Sequence, residues 1–295
     1  VDWREKDVKN LRKVLLSFLS MALEATSLEE REIELSNIDV WLLSRFYRRL
    51  SKGRELLENF RIREFVVSMF YEILNDLNHH RKRTSKEHNL LILRKILRDW
   101  IIALSPIIPH ICEEVWSRIN RDKEIWSINL ARWPKSKTEF INDEVEALEN
   151  IVIGVIDLGR ELMRLLKKTP KRAVIVVAAE WKYRALEIVK KLIGEGTRSI
   201  GAIMKKILET QELRPYSKQI TEMIKRILAG KITIPDVIVS RHDEYNALSD
   251  AKEYIARELG LESIEIMIEE DAEGDLRNRA RRALPMRPII VFVVG

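Results

Sequence analysis

Over the first 120 residues apolar side chains recur at the spacing of an α-helix, with almost no strand-like alternation, which restricts this part of the chain to packed helices. Val8, Leu11, Leu15, Phe18 and Leu19 share one face of a first helix. Ser36-Asn-Ile-Asp39 reads as a capping box that opens a second, running through Trp41, Leu42, Phe46 and Leu50. A third is expected from about 61 to 81 through Phe65, Met69, Ile73, Leu74 and Leu77. A fourth should span 90 to 104, ending before Pro106, and a fifth should start near Pro109, a favoured first-turn residue. Helices joined by such short connections predict an antiparallel bundle over residues 1–140.

The helical period lapses between Trp126 and Thr138, where Trp133-Pro134 and a Lys-Ser-Lys-Thr tract mark a connection. A further helix, roughly 142 to 168, leads through Thr169-Pro170 into the β-rich run Ala173-Val-Ile-Val-Val-Ala-Ala179. Beyond it lie helical periods at 181–193, 198–208 and 216–228, a helix at 250–259 stopped by Gly260, and strands at 263–268 and 289–294. The stretch Ile232–Ser240 reads as strand or loop. The expected fold is therefore mainly α: a helical bundle, then a small α/β or α+β domain over residues 141–295.

Composition narrows the function classes. With 46% hydrophobic residues in 295, each of two domains can build a core. There is no run of about 18 apolar residues, and the opening residues have no apolar signal-peptide core, so the expectation is a soluble, cytoplasmic protein with no membrane partner. Cys112 is the single cysteine, which rules out an internal disulfide framework and a multi-cysteine zinc site. High charge content, abundant Ile and few Gly resemble a heat-adapted composition. Residues 1–150 hold 26 Lys and Arg against 25 Asp and Glu, while residues 151–295 hold 26 against 21. The basic excess lies in the second half.

Catalytic signatures are missing. Gly230-Lys231 is followed by Ile232 and lacks the upstream spacing of a phosphate-binding loop, and Gly194, Gly196 and Gly201 follow a helix and read as a turn. His79 and His80 are adjacent and point about 100° apart on a helix, so they do not chelate one ion as a pair. His110 and Cys112 sit in an apolar setting that suits a packed core or a helix start. No catalytic residue, metal ligand or cofactor site is assigned.

Basic surfaces carry more signal. Arg45, Arg48, Arg49 and Lys52 fall at i, i+3, i+4 and i+7 on one helix face, with Trp41 four residues before Arg45. Such a stripe suits a nucleic-acid backbone; the alternative is a solvated face with Trp41 turned into the core. Arg81-Lys82-Arg83 would complement a helix dipole. Near the end of the chain five arginines, Arg277, Arg279, Arg281, Arg282 and Arg287, crowd against Pro285 and Pro288 just before a β-branched strand. A positive segment held beside a rigid element is what a phosphate-rich partner needs.

Several of these segments resemble a known family. Asp39-Val-Trp-Leu-Leu-Ser-Arg45, Phe70-Tyr-Glu-Ile-Leu-Asn-Asp-Leu77 and Leu104-Ser-Pro-Ile-Ile-Pro-His-Ile-Cys-Glu-Glu-Val-Trp116 look like consecutive helices of the anticodon-binding domain of class I aminoacyl-tRNA synthetases for leucine, isoleucine and valine. Lys171-Arg-Ala-Val-Ile-Val176, Glu180-Trp-Lys-Tyr183 and Ala280-Arg-Arg-Ala-Leu-Pro-Met-Arg-Pro-Ile-Ile290 resemble the C-terminal domain of archaeal and eukaryotic-type leucyl-tRNA synthetases. The opening Asp2-Trp-Arg-Glu5 is similar to the segment after the catalytic core there. The His-x-Gly-His motif and the Lys-Met-Ser-Lys-Ser loop of the catalytic core are not found, and Lys135-Ser-Lys-Thr138 is only an echo of the latter.

The resemblance implies the tRNA-binding tail of a leucine–tRNA ligase, inactive alone. Joined to a catalytic core, in cis or as a separate subunit, it would support attachment of leucine, the whole enzyme using ATP and Mg. It implies contacts with the stem of leucine tRNA through Arg45, Arg48, Arg49 and Lys52. Arg279, Arg281, Arg282, Met286, Arg287 and the following strand would lie near its long variable arm. The competing readings are the tail of an isoleucyl- or valyl-type synthetase and a non-catalytic protein-interaction scaffold.

Overall fold

The computed structural model describes residues 4–29, 31–120, 124–166 and 170–293; Asp2, Trp3, Lys168, Thr169 and Val294, which figure in the expectations above, lie outside them. The chain divides into two compact units, Val1–Val145 and Glu146–Gly295.

The first unit is helical: α1 (Glu5–Thr26), α2 (Asn37–Glu58), α3 (Ile62–Val66), a π-helical turn (Val67–Glu72), α4 (Ile73–Arg83), α5 (Lys86–Leu104) and α6 (Pro109–Ile119). The capping box forms at α2, where both the N–H and the hydroxyl of Ser36 donate to Asp39 Oδ2, at 2.8 and 2.7 Å. Pro109 opens α6. The helices enclose one core around Phe18, Trp41, Phe46, Trp100 and Trp116. Sequence periodicity predicts one continuous third helix, but the structure widens it into a π turn. The buried Trp100 donates its indole N–H to Met69 O at 2.6 Å within that turn, and such a partner suits a helix whose own hydrogen-bond ladder is displaced.

The second unit holds α7 (Asp143–Leu165, begun in the first), β1 (Arg172–Val177), α8 (Glu180–Gly194), α9 (Ile200–Ile207), α10 (Ser217–Leu228), α11 (Arg241–Leu259), β2 (Ser263–Ile268), α12 (Gly274–Ala280) and β3 (Ile289–Val293). The sheet order is β2-β1-β3, with β2 parallel and β3 antiparallel to β1, and Ile175 registered against both Ile266 and Ile290. β1 is buried from Ala173 onward because both its faces are covered. Ala173, Ile175 and Val177 meet residues of α7 and α11 such as Val155 and Ile255, while Val174 and Val176 meet Ala280 of α12. Helices α8, α9 and α10 close a further core through Val189, Ile203 and Ile224.

Two elements depart from expectation. α11 starts at Arg241 rather than near residue 250, capped by Ser240 Oγ, which accepts from Asp243 N–H at 3.1 Å. Its first half buries a glutamate and so lacks an apolar period. The arginine-rich segment contains the short helix α12, which no periodicity announced. Ile232–Ser240 forms neither helix nor strand, and Gly260 ends α11 at φ 65, the left-handed cap that glycine adopts without strain.

Candidate nucleic-acid interface

The arginine-rich segment begins on α12, whose Ala280 and Leu276 pack on the Val174–Val176 face of the sheet. That seating leaves Arg277, Arg279, Arg281 and Arg282 exposed, with Arg287 exposed beyond them. None of the five forms an ion pair with a carboxylate among the described residues. Arg287 Nη2 reaches only Thr233 O, at 3.4 Å.

Two buried charges fix the course of the segment from behind. Lys182, only 5% exposed, donates to Arg281 O at 2.8 Å, to Ala283 O at 2.7 Å and to Glu269 Oε2 at 2.7 Å. These three acceptors use all three ammonium protons. Desolvation lowers the Lys182 pKa against the opposing pull of Glu269. Glu269 in turn accepts from Ala179 N–H at 2.9 Å.

The second charge is Glu244, fully buried on α11. Its Oε2 accepts from Tyr183 Oη and from Met286 N–H, each at 2.8 Å. Burial pushes the carboxyl up to about 7, although both hydrogen bonds pull it down. Its other oxygen has no hydrogen-bond partner among the described residues. The bond to Met286 holds a tight turn in which Leu284 and Arg287 exchange backbone bonds of 3.1 and 2.8 Å. Pro285 takes the position where its fixed φ suits a type II turn, and Met286 takes the next, at φ 60, a left-handed conformation uncommon outside glycine and asparagine. Met286 is half-buried against the sheet core, and its backbone N–H helps to hold the turn.

On the α2 stripe Trp41 follows the alternative that turns it into the core, while most of the cations are paired rather than solvated. Trp41 is 1% exposed and belongs to the core, with its ring 5.0 Å from that of His79, so it offers no aromatic face to a partner. Arg45 Nε and Arg49 Nη1 both bind Asp76 Oδ2, at 2.9 and 2.5 Å, and Arg49 Nε binds Glu72 Oε2 at 2.9 Å. Arg48 pairs with Asp143. Three of the four cations therefore tie α2 to neighbouring segments, whose carboxylates a single-helix projection does not show. Lys52 alone among the four is exposed. Arg81, Lys82 and Arg83 lie in the last turn of α4, where cations favour the helix dipole.

His80 joins a grouping that sequence adjacency to His79 concealed. Asp39 Oδ1 accepts from His80 Nε2 at 2.6 Å and from His88 Nε2 at 2.8 Å, linking α2, α4 and α5. The Asn89 amide donates to Leu77 O at 3.1 Å and meets His80 Nδ1 at 2.9 Å, which leaves Nε2 as the protonated nitrogen facing Asp39. Burial raises the Asp39 pKa, but the hydrogen bonds from His80, Ser36 and His88 outweigh it and hold the carboxyl well below the usual range. This is a hydrogen-bonded hub under the α2 cap. Cys112 is buried, and desolvation with Glu113 nearby pushes its thiol up to about 12, far from a reactive thiolate.

Local signals found the arginines but not their anchors. Lys182 and Tyr183 lie in a segment marked by resemblance, whereas nothing in the sequence distinguished Glu244 or Glu269 from solvated acids.

Residues 39–177 match the family described as the anticodon-binding domain of tRNA ligase. Along 98% of its length the chain is similar to archaeal leucine–tRNA ligases: 33% identical over 294 residues to that of Pyrococcus abyssi, 33% over 289 to that of Staphylothermus marinus and 33% over 290 to that of Methanocaldococcus jannaschii. The chain spans 29% of the length of each of these relatives.

Proposed function

We propose that this chain, which carries the anticodon-binding domain of a tRNA ligase and belongs with the leucine–tRNA ligases, is the part of such an enzyme that holds its tRNA. On this reading it supports ATP-dependent leucylation when joined to a catalytic core and performs no chemistry itself. The observation that carries the reading is the anchored arginine segment: five exposed guanidiniums without carboxylate partners among the described residues, on a backbone fixed by Lys182 and Glu244. Free guanidiniums give up no internal ion pair to a phosphate, whereas Arg45 and Arg49 would have to release Asp76. Arg48 would likewise have to release Asp143, so the second unit is the tighter holder, and Lys52 adds a weaker contact to a stem.

The partner in this reading is leucine tRNA, with the arginine segment at its long variable arm. Phosphate contacts position the RNA, and backbone or side-chain contacts to splayed bases supply choice. Binding of the full chain to leucine tRNA and to a tRNA with a short variable arm, measured across a salt series, tests it. Leucine tRNA should bind about tenfold more tightly, and Arg281→Ala or Arg287→Ala should each cost on the order of 1 kcal/mol and flatten the salt dependence by roughly one charge. The exposed Lys191→Ala serves as the control; Lys190 does not, because its ammonium holds Asp236 O. Equal binding of the two tRNAs at every salt concentration would remove the specificity from the proposal.

A further inference from the structure

A cleft beside the arginine segment remains without a role. It has a volume of about 540 Å³, within the roughly 300–1,000 Å³ common for small-molecule sites, and lies wholly in the second unit. Trp181, near the start of α8, and Tyr216, just before α10, stack in it with ring centroids 4.6 Å apart and planes 6° apart. Both rings are half-buried and line the opening. Lys218, Glu222 and Arg226 follow one another at i, i+4 and i+8 along α10, so one helix face brings them to the cleft. Arg281 closes the side that belongs to the arginine segment. Lys218, Arg226 and Arg281 are exposed and form no ion pair with a carboxylate among the described residues.

We infer that this cleft takes one unpaired nucleotide of an RNA strand, its base against the Trp181–Tyr216 stack and its phosphates on Arg281 and Arg226. Every base has a π face, and stacking on aromatic side chains is how unpaired bases are held, whereas a base within a duplex has its faces covered. Three cations around an aromatic platform match the mixed character of a nucleotide, apolar on its ring faces and anionic along its backbone. Glu222 supplies an acceptor for an exocyclic amine, which adenine, guanine and cytosine carry and uracil lacks. The inference rests on the RNA-binding reading above and adds a site at which a strand leaves a duplex.

The test uses the full 295-residue chain with two fluorescent probes, hexaadenylate and a blunt RNA duplex. Tyr216→Leu, which keeps apolar bulk but loses the ring, should weaken hexaadenylate binding about tenfold and leave duplex binding within about twofold. Tyr216→Phe should restore hexaadenylate binding to within about twofold, because the stack needs the ring and not the hydroxyl. Arg281→Ala should weaken both probes. Adenosine monophosphate alone should bind at least about tenfold more weakly than hexaadenylate, since it lacks the neighbouring phosphates. Unchanged hexaadenylate binding by Tyr216→Leu, or an equal loss on both probes, overturns the slot. Equal or tighter binding of adenosine monophosphate reassigns it to a free nucleotide and overturns the RNA inference. If Arg281→Ala still weakens the duplex while Tyr216→Leu has no effect, the RNA-binding reading stands and the slot falls; if the parent chain binds neither probe, both fall.

Discussion

Glu244 shows how a single buried carboxyl ties stability to pH. Its pKa lies near 7 in the folded chain, above the 4.5 of a solvated glutamate, so the folded state holds the proton more tightly. The stabilisation is complete below about pH 4.5 and is lost as pH rises through about 7. Glu244→Gln keeps an acceptor for Tyr183 Oη and Met286 N–H but cannot ionise. Its melting temperature relative to the parent should therefore rise between pH 5 and pH 8, with the stability difference changing by roughly 2 kcal/mol. A pH-independent difference between the two proteins would show that Glu244 does not titrate in this range. The residue escapes sequence reading because its environment comes from Tyr183 and Met286, 61 and 42 positions away. The guanidiniums at Arg277 to Arg287 were legible because their clustering is local.

Among elements, legibility follows the same division. The opening of α2 is written within four residues, Ser36 to Asp39, and forms as written. The interior direction of Trp41 and the pairing of Arg45 with Asp76 depend on α4, so the α2 stripe read as a free surface when its projection was taken alone. The π turn depends on Trp100 from α5, and α12 depends on the sheet beneath it, which is why neither carried a periodic signature. Around the cap the two partners differ in consequence. Ser36→Ala removes one hydroxyl and should cost about 1 kcal/mol of stability in urea unfolding. Asp39→Ala also strips the acceptor from two imidazoles, one fully buried, and should cost about 3 kcal/mol or more. Similar losses in the two variants would mean that the hub adds nothing beyond the cap.

At the scale of the whole molecule, the two halves differ in charge more than in charge content. An excess of +1 over residues 1–150 and of +5 over residues 151–295 places the attraction for a polyanion in the second half. Arg277→Ala combined with Arg279→Ala should therefore lower the log–log salt slope of RNA binding by roughly two charges. Lys52→Ala should lower it by one at most. A larger change from Lys52 would move the main contact to the helical unit. That balance was visible in composition; which cations were free to act was not, because neutralisation by Asp76, Glu72 and Asp143 appears only on folding.

Lys182 grips the carbonyl oxygens of Arg281 and Ala283, not their side chains. Every amino acid presents that same carbonyl, so the path of the loop is insulated from the identity of the residues it displays. Exposed positions such as 281 and 282 can therefore change without redrawing the backbone, so a single substitution there alters the charge on display while the frame beneath it stays as it is.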